Sequence, residues 1–320
     1  MARNLLSSGS AEIAPLIAEV KEIGGPILGV LSDKQESLCL AVETDLPGVP
    51  HQLCHYHYLR DVAQPVCEAD RKLKKQLKQK GRGIRDVERQ VAQQQSDEAR
   101  VVRGYCLAIR EVMRDEGKYP LEPAGLTLYD KLRQIGTSLE KALSQRASAK
   151  LQRLLVILKV ISPLTRTYVR LVVAWSWIHA IAHLLEQGAT RAEAEAQLQH
   201  YVAGLGRTGD RSLDQIAAHI EKLTCAFAPK LFAFHDQPLL PTTHNDLEVF
   251  ILREGRAVAV LHSLPSRFNW LEAFAAVDIE HFQKSLAGLR RADQRRQAWQ
   301  VRRDLQVYLS HLEKDWKPPH

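Results

Sequence analysis

Three short stretches carry residue types able to do chemistry. Asp33 closes the apolar stretch Gly29-Val30-Leu31-Ser32. Cys54 and His57 form a Cys-x-x-His directly after a second apolar stretch, and Asn245 and Glu248 form an Asn-x-x-Glu far downstream. Carboxylates such as Asp33 and Glu248 suit hard divalent cations, which take oxygen ligands and keep several waters, so a few acids suffice. A Cys-x-x-His is half of a zinc site. No second pair with finger spacing accompanies it, although Cys67 and His51 are possible completions. Each feature also has a plainer reading. An Asp ahead of a helix is commonly its N-cap, a lone glutamate on a helix is commonly solvated, and a Cys–His pair is commonly structural.

The elements that must position these residues are legible at the N-terminal end. Ser10 is a candidate N-cap, with Ile13, Leu16, Ile17 and Val20 spaced for one helical face. Gly24-Gly25-Pro26 stops that helix. Ile27 to Leu31 is a short apolar run of the kind found in strands buried on both faces. Ser32 or Asp33 is then expected to cap a second helix running to about Glu43, and Pro47-Gly48 turns the chain into a strand from Val49 to Leu53. Helix, strand, helix, strand is a crossover unit whose strands should pair in parallel. Asp33 at the C-terminal end of such a strand is where α/β folds commonly place active sites. Two strands alone would make a marginal sheet.

From Tyr58 to about Ala228 the strand signals nearly vanish, and helices are expected over 126–143, 147–161, 163–187, 191–205 and 212–227. Pro163 suits a first helical turn. A Pro- and Gly-rich break falls at 117–125, residues 234–241 read as a linker, and a helix carrying Glu248 is expected to start near Thr243. Leu264-Pro265 interrupts, and a basic helical tail follows. His179 and His183 stand at helical i, i+4 spacing beside Trp175 and Ile178, which reads as a packed or partly buried face.

In this order the strand-end Asp33, the run Pro47-Gly-Val-Pro-His-Gln-Leu-Cys-His-Tyr-His57, a long helical stretch and Asn245-x-x-Glu248 resemble the DDE transposases of the Mutator type found in bacterial insertion sequences. The resemblance implies an RNase H-like core interrupted by a helical insertion. It implies DNA strand cleavage and transfer, an in-line displacement at phosphorus with two Mg²⁺ (or Mn²⁺) ions about 3.5–4 Å apart. Asp33 and Glu248 would be the catalytic metal ligands, and Cys54, His57 and Asn245 would support the motif. Cys54 would be largely buried and His57 partly exposed. A third carboxylate belongs on an earlier strand, and no Asp precedes Asp33. The expectation is therefore an N-terminally truncated homologue that does not catalyse strand transfer by itself. The alternative is a non-catalytic helical DNA-binding or oligomerisation protein derived from a transposase.

The expected organisation is a partial RNase H-like α/β segment at 1–57, an all-helical insertion at 58–233, a linker and last core helix at 234–264, and a basic helical tail at 265–320. The implied partners are DNA (transposon ends and target DNA), a second copy, or a full-length transposase. Composition agrees with a polyanion partner: the formal charge is +7 and the pI near 9.1. Residues 71–110 hold twelve Lys or Arg against four acids. Lys72, Lys74, Lys75, Lys78, Arg82 and Arg85 are candidate DNA contacts, joined by Arg253 and Arg256 after Glu248. In the tail, Arg290, Arg291, Arg295, Arg296, Arg302 and Arg303 repeat the bias. Five cysteines without framework spacing point to a reducing compartment. No membrane span or signal segment is evident, so a cytoplasmic, nucleoid-associated protein is expected.

Overall fold

Val30 and His51 are register partners in two parallel strands, β1 (Val30–Ser32) and β2 (His51–Leu53). The connection between them is a helix, as parallel pairing requires. The computed structural model describes residues 10–22, 26–206, 208–243, 259–261 and 305–315. A third strand, β3 (Ala259–Leu261), pairs in parallel on the other side of β1, giving the order β2-β1-β3. The expectation of two strands is thereby corrected. Ala257-Val-Ala-Val-Leu261 is a short apolar run of the same kind as that around Val30, and the signal was available in the sequence.

The chain divides into two units, one formed by Met1–Pro65 with Ala174–Ala273 and the other by Val66–Val173 with Phe274–His320. The helical stretch expected over 58–233 is thus shared between them. In the first, helices α1 (Ser10–Glu22) and α2 (Glu36–Asp45) flank the sheet. Ile13, Ile17, Leu38, Ala41, Val42 and Leu46 close over Val30. Burial of such side chains, at roughly 25 cal/mol per Å² of apolar surface, is what holds a three-residue strand in place. Helix α3 (His55–Val62) follows β2 directly.

The second unit is almost wholly helical in its described residues. It contains most of α4 (Gln64–Lys80), a 3₁₀ turn at Gly81–Gly83, α5 (Ile84–Val91), α6 (Asp97–Arg114), α7 (Ala124–Gln145) and α8 (Ala149–Lys159). Ser96 and Ser148 cap α6 and α8 by accepting from the amides of Ala99 and Leu151. The expected break at 117–125 is present as a Lys118–Glu122 bridge after Gly117, which takes φ +65°. Pro163 lies in the first turn of a 3₁₀ helix, Ser162–Leu164, that leads into α9 (Thr165–Leu184). The chain re-enters the first unit at Ala174, within α9, and continues there through α10 (Arg191–Ala203) and α11 (Arg211–Phe227), while α12 (Leu305–Asp315) packs on α6 and α7 in the second. The chain is therefore mostly helical with one small parallel sheet. Among the described residues no helix is long and apolar enough to cross a membrane.

Candidate functional site

Asp33 and Cys54 leave neighbouring strands at the same edge of the sheet. Ser32 pairs with Leu53, and the Cys54 amide donates to the Ser32 carbonyl at 2.9 Å, so the next residue on each strand is Asp33 and Cys54. Asp33 is not the cap of α2. That role falls to Gln35, whose side chain makes no capping bond. The Asp33 carboxylate instead accepts from the Gln35 amide at 3.3 Å, folding the loop back as an Asx turn before the helix begins. The pairing with β2 keeps Ser32 in the strand, and this turn uses up the next residues, so the helix starts later than expected. Asp33 is partly exposed.

Cys54 is the N-cap residue of α3 and is 1% exposed, while His57, one turn on, is partly exposed. His55 between them is buried. Its Nε2 donates to the Leu231 carbonyl at 2.7 Å, and burial holds its pKa below the ordinary value. The side chain of Gln52 works on the same segment. Its Nε2 donates to the carbonyls of Leu231 (2.6 Å) and Leu53 (2.8 Å), and its Oε1 accepts from the Phe234 amide at 3.1 Å. The stretch 234–241 is therefore gripped rather than hanging as a free linker. Leu240 is buried against Gly29, where an added Cβ would lie 2.5 Å from its methyl carbon. Thr242 then accepts from the His55 amide at 2.9 Å, meeting one of the unsatisfied donors of the α3 N-terminus. Asn245 and Glu248, with the helix expected around them, and Arg253 and Arg256 lie outside the described residues, as does most of the basic tail.

His51, a suggested zinc ligand, is engaged otherwise. Ser32 donates its hydroxyl to the Asp33 carbonyl at 2.7 Å, so at 2.7 Å from Ser32 Oγ the imidazole Nε2 must be the donor. Nδ1 is then the bare acceptor, buried with no hydrogen-bond partner. Burial first, then Lys230, lowers this pKa to about 4. Among the described residues no group of three or more His, Cys, Asp and Glu is placed to hold a metal ion. The reading of His179 and His183 as a packed face is corrected. Both are exposed, and the buried side of α9 is formed by Ala174, Trp175, Ile178 and Ile181.

The basic stretch 71–110 is three helices rather than one, and much of its charge is matched. Arg110 pairs with Glu88 at 2.7 Å, Arg89 with Asp86 at 3.8 Å, and Arg100 with Asp97 at 3.5 Å and with Asp315 at 3.7 Å. Arg103 donates to the carbonyls of Val91 and Gln94 at the end of α5, where a cation is favoured by the orphan carbonyls. Of the sequence candidates, Lys74, Lys75, Lys78 and Arg82 line one cleft of about 500 Å³, and Arg85 lines a second. Lys72 is exposed on α4 and lines neither cleft.

Behind the first cleft lies a residue that the sequence reading did not single out. Asp70 is fully buried. Its carboxylate accepts from the Tyr119 hydroxyl at 2.6 Å and from the amides of Gly125 at 2.7 Å and Leu126 at 2.8 Å. It serves as the N-terminal cap of α7 from a different helix, because the residue at the cap position, Pro123, makes no side-chain bond. A Cβ at Gly125 would lie 2.3 Å from the Asp70 carbonyl oxygen, so glycine is what lets the two backbones approach.

The fold and its two clefts define a mostly helical protein carrying a strand-end carboxylate and a cationic helix face. No protein-family model matches the chain, and no curated protein or solved structure matches it either.

Proposed function

We propose that this chain is a homologue of DDE transposases of the Mutator type, with the β1–β2 unit as the second half of an RNase H-like core and DNA as its partner. The observation that carries this reading is the shared sheet edge. Asp33 and the Cys54-x-x-His57 pair leave adjacent parallel strands at matched register, and the segment leading to Asn245-x-x-Glu248 reaches the same edge through Thr242. Asp33 is a partly exposed oxygen donor on a loop, which fits a hard cation such as Mg²⁺ or Mn²⁺. In this reading Asp33 and Glu248 hold the ion, which would activate an attacking hydroxyl and stabilise a leaving oxygen at phosphorus. Cys54 and His57 fix the first turn of α3 beside it. Strand transfer would call on a third carboxylate beside these two.

The test is Mn²⁺ binding by the full chain, followed by electron paramagnetic resonance. Binding lost in both Asp33→Asn and Glu248→Gln supports a shared site. Binding indifferent to both substitutions removes the transposase reading. A second reading, a non-catalytic helical DNA-binding protein that acts alone, as a second copy or with a full-length transposase, is favoured by one observation: the unmatched cations gather on α4, in the unit without the sheet.

A further inference from the structure

The unmatched positive charge of the helical unit has a shape. Arg71, Lys75, Lys78 and Arg82 follow one another at spacings of four, three and four residues, which places them in one row along α4 and the turn after it. At 1.5 Å per residue the row is about 16 Å long. It lines the cleft of about 500 Å³, in which Glu116 is the only acid among the described residues and pairs with Lys74 at 3.5 Å. Lys78 and Arg82 also reach the neighbouring cleft, beside Arg85. The remaining cations there are matched: Arg89, Arg110 and Arg114 each face an acid, namely Asp86, Glu88 and Glu111.

The first of these cations is also held in place. The Arg71 guanidinium lies 4.6 Å from the centre of the Tyr119 ring, and the Tyr119 hydroxyl is fixed by the buried Asp70. Stacking of this kind leaves the guanidinium edge free to bond a planar or tetrahedral oxyanion. Fixing one cation in advance lowers the entropy lost on binding.

We propose that this row is a phosphate-tracking site that takes a single run of consecutive phosphates. Successive phosphates of one strand rise about 3.4 Å along the duplex axis but, because the strand winds around that axis, lie roughly 7 Å apart in space, so a row of about 16 Å meets about three. That length exceeds the need of a lone phosphate group and suits a polymer. Two sources share the chemistry, a nucleic-acid backbone and free inorganic polyphosphate. The proposal rests on the transposase reading only in taking DNA as the natural source, because neither Asp33 nor a metal ion takes part in it.

The experiment uses the full chain and two double variants with equal change in net charge. One reverses the row (Lys75→Glu with Lys78→Glu). The other reverses exposed cations that lie off it (Arg133→Glu with Arg153→Glu). Fluorescence anisotropy with a 30-base-pair duplex is read across a salt series. The row variant should bind at least tenfold more weakly and flatten the logarithmic salt slope by about 2, since each phosphate contact contributes about 0.9. The off-row variant should stay within about threefold of the parent. A neutral pair (Lys75→Gln with Lys78→Gln) with parental circular dichroism must weaken binding too, which separates lost contact from lost fold. Equal weakening by the two reversals would mean diffuse attraction and would overturn the site, as would no effect from either. Inorganic polyphosphate should displace the duplex. If the chain binds polyphosphate through the row but not the duplex, the cleft stands with polyphosphate as its ligand and DNA falls as the partner.

Discussion

Asp70 Oδ1 accepts a hydrogen bond from the amide of Leu126 at 2.8 Å, joining α4 to the first turn of α7 across 56 positions of sequence. Together with the bonds from Gly125 and Tyr119, it places the buried carboxylate at the positive end of a helix, where an anion is favoured. Replacing it takes the acceptor away from two buried amides and from the Tyr119 hydroxyl. Asp70→Ala should therefore cost about 2–4 kcal/mol, and Asp70→Asn, which keeps one acceptor oxygen, about half as much. Urea unfolding followed by circular dichroism measures this. A change under about 0.5 kcal/mol for the alanine variant would show that the cap contributes nothing.

Gln52 is the corresponding clamp in the α/β unit. Gln52→Leu keeps the volume but strands the amide of Phe234 and removes one donor from Leu231. We expect a loss of about 1–3 kcal/mol and faster amide exchange confined to residues 231–243. Exchange that rises evenly over the unit would contradict a local clamp.

His51 should make the protein sensitive to mild acid. Its folded pKa of about 4 lies below the ordinary value of 6.5, so between these two values the unfolded chain binds more protons than the folded one. Stability is then undiminished above pH 6.5 and falls as pH drops towards 4, by roughly 3 kcal/mol for His51 alone. The buried His55, also shifted down by its burial, adds a loss of the same sign as pH falls below 6.5. Lys230 opposes the charging of His51 and Glu43 favours it. His51→Asn retains a donor towards Ser32 and should flatten the loss between pH 7 and pH 5. An unchanged pH profile would mean that the imidazole is not desolvated.

The five thiols should fall into two classes. Cys225 is exposed and Cys39 half-buried, whereas Cys54, Cys67 and Cys106 are buried, the last two with pKa values pushed up to about 11 and about 12 by burial. An aromatic disulfide reagent should modify Cys225 quickly, Cys39 slowly, and the other three only on unfolding. Fast reaction of Cys54 would contradict its place beneath the start of α3.

The helices were largely legible because their caps and periodicity are local. Helix α10 begins at Arg191 as expected, capped by Thr190, and the other predicted helices of the 124–227 stretch fall within a few residues of their expected ends. The parallel pairing of β1 with β2 was legible from the crossover pattern. What escaped were relationships set by distant partners. The capping of α7 by Asp70 depends on two helices meeting, and the apolar run at β3, visible as a run, carries no local mark of pairing with a strand some 230 residues earlier. Arg89 and Arg114 pair with acids three residues away on their own helices, which the sequence shows, whereas the Arg110–Glu88 pair joins two helices and leaves no mark on a charge sum. The edge shared by Asp33 and Cys54 followed from the pattern, whereas the Asx turn that takes Asp33 out of its expected cap did not.

The central position of β1 sets the order in which this protein can be made. Its partner β3 is synthesised about 230 residues later. At about 5–20 residues per second, a ribosome needs on the order of 10 to 50 s to supply it. Throughout that interval one edge of β1 has no β3 to meet, and a bare parallel edge invites pairing with other nascent chains. Expression yield should therefore respond to anything that slows translation between the codons for Leu53 and Ala259. The same arrangement rules out simple dissection, because each unit is assembled from two separated chain segments. A fragment ending after Val173 would leave both units without their second halves, so the two units are better separated by substitution than by cutting.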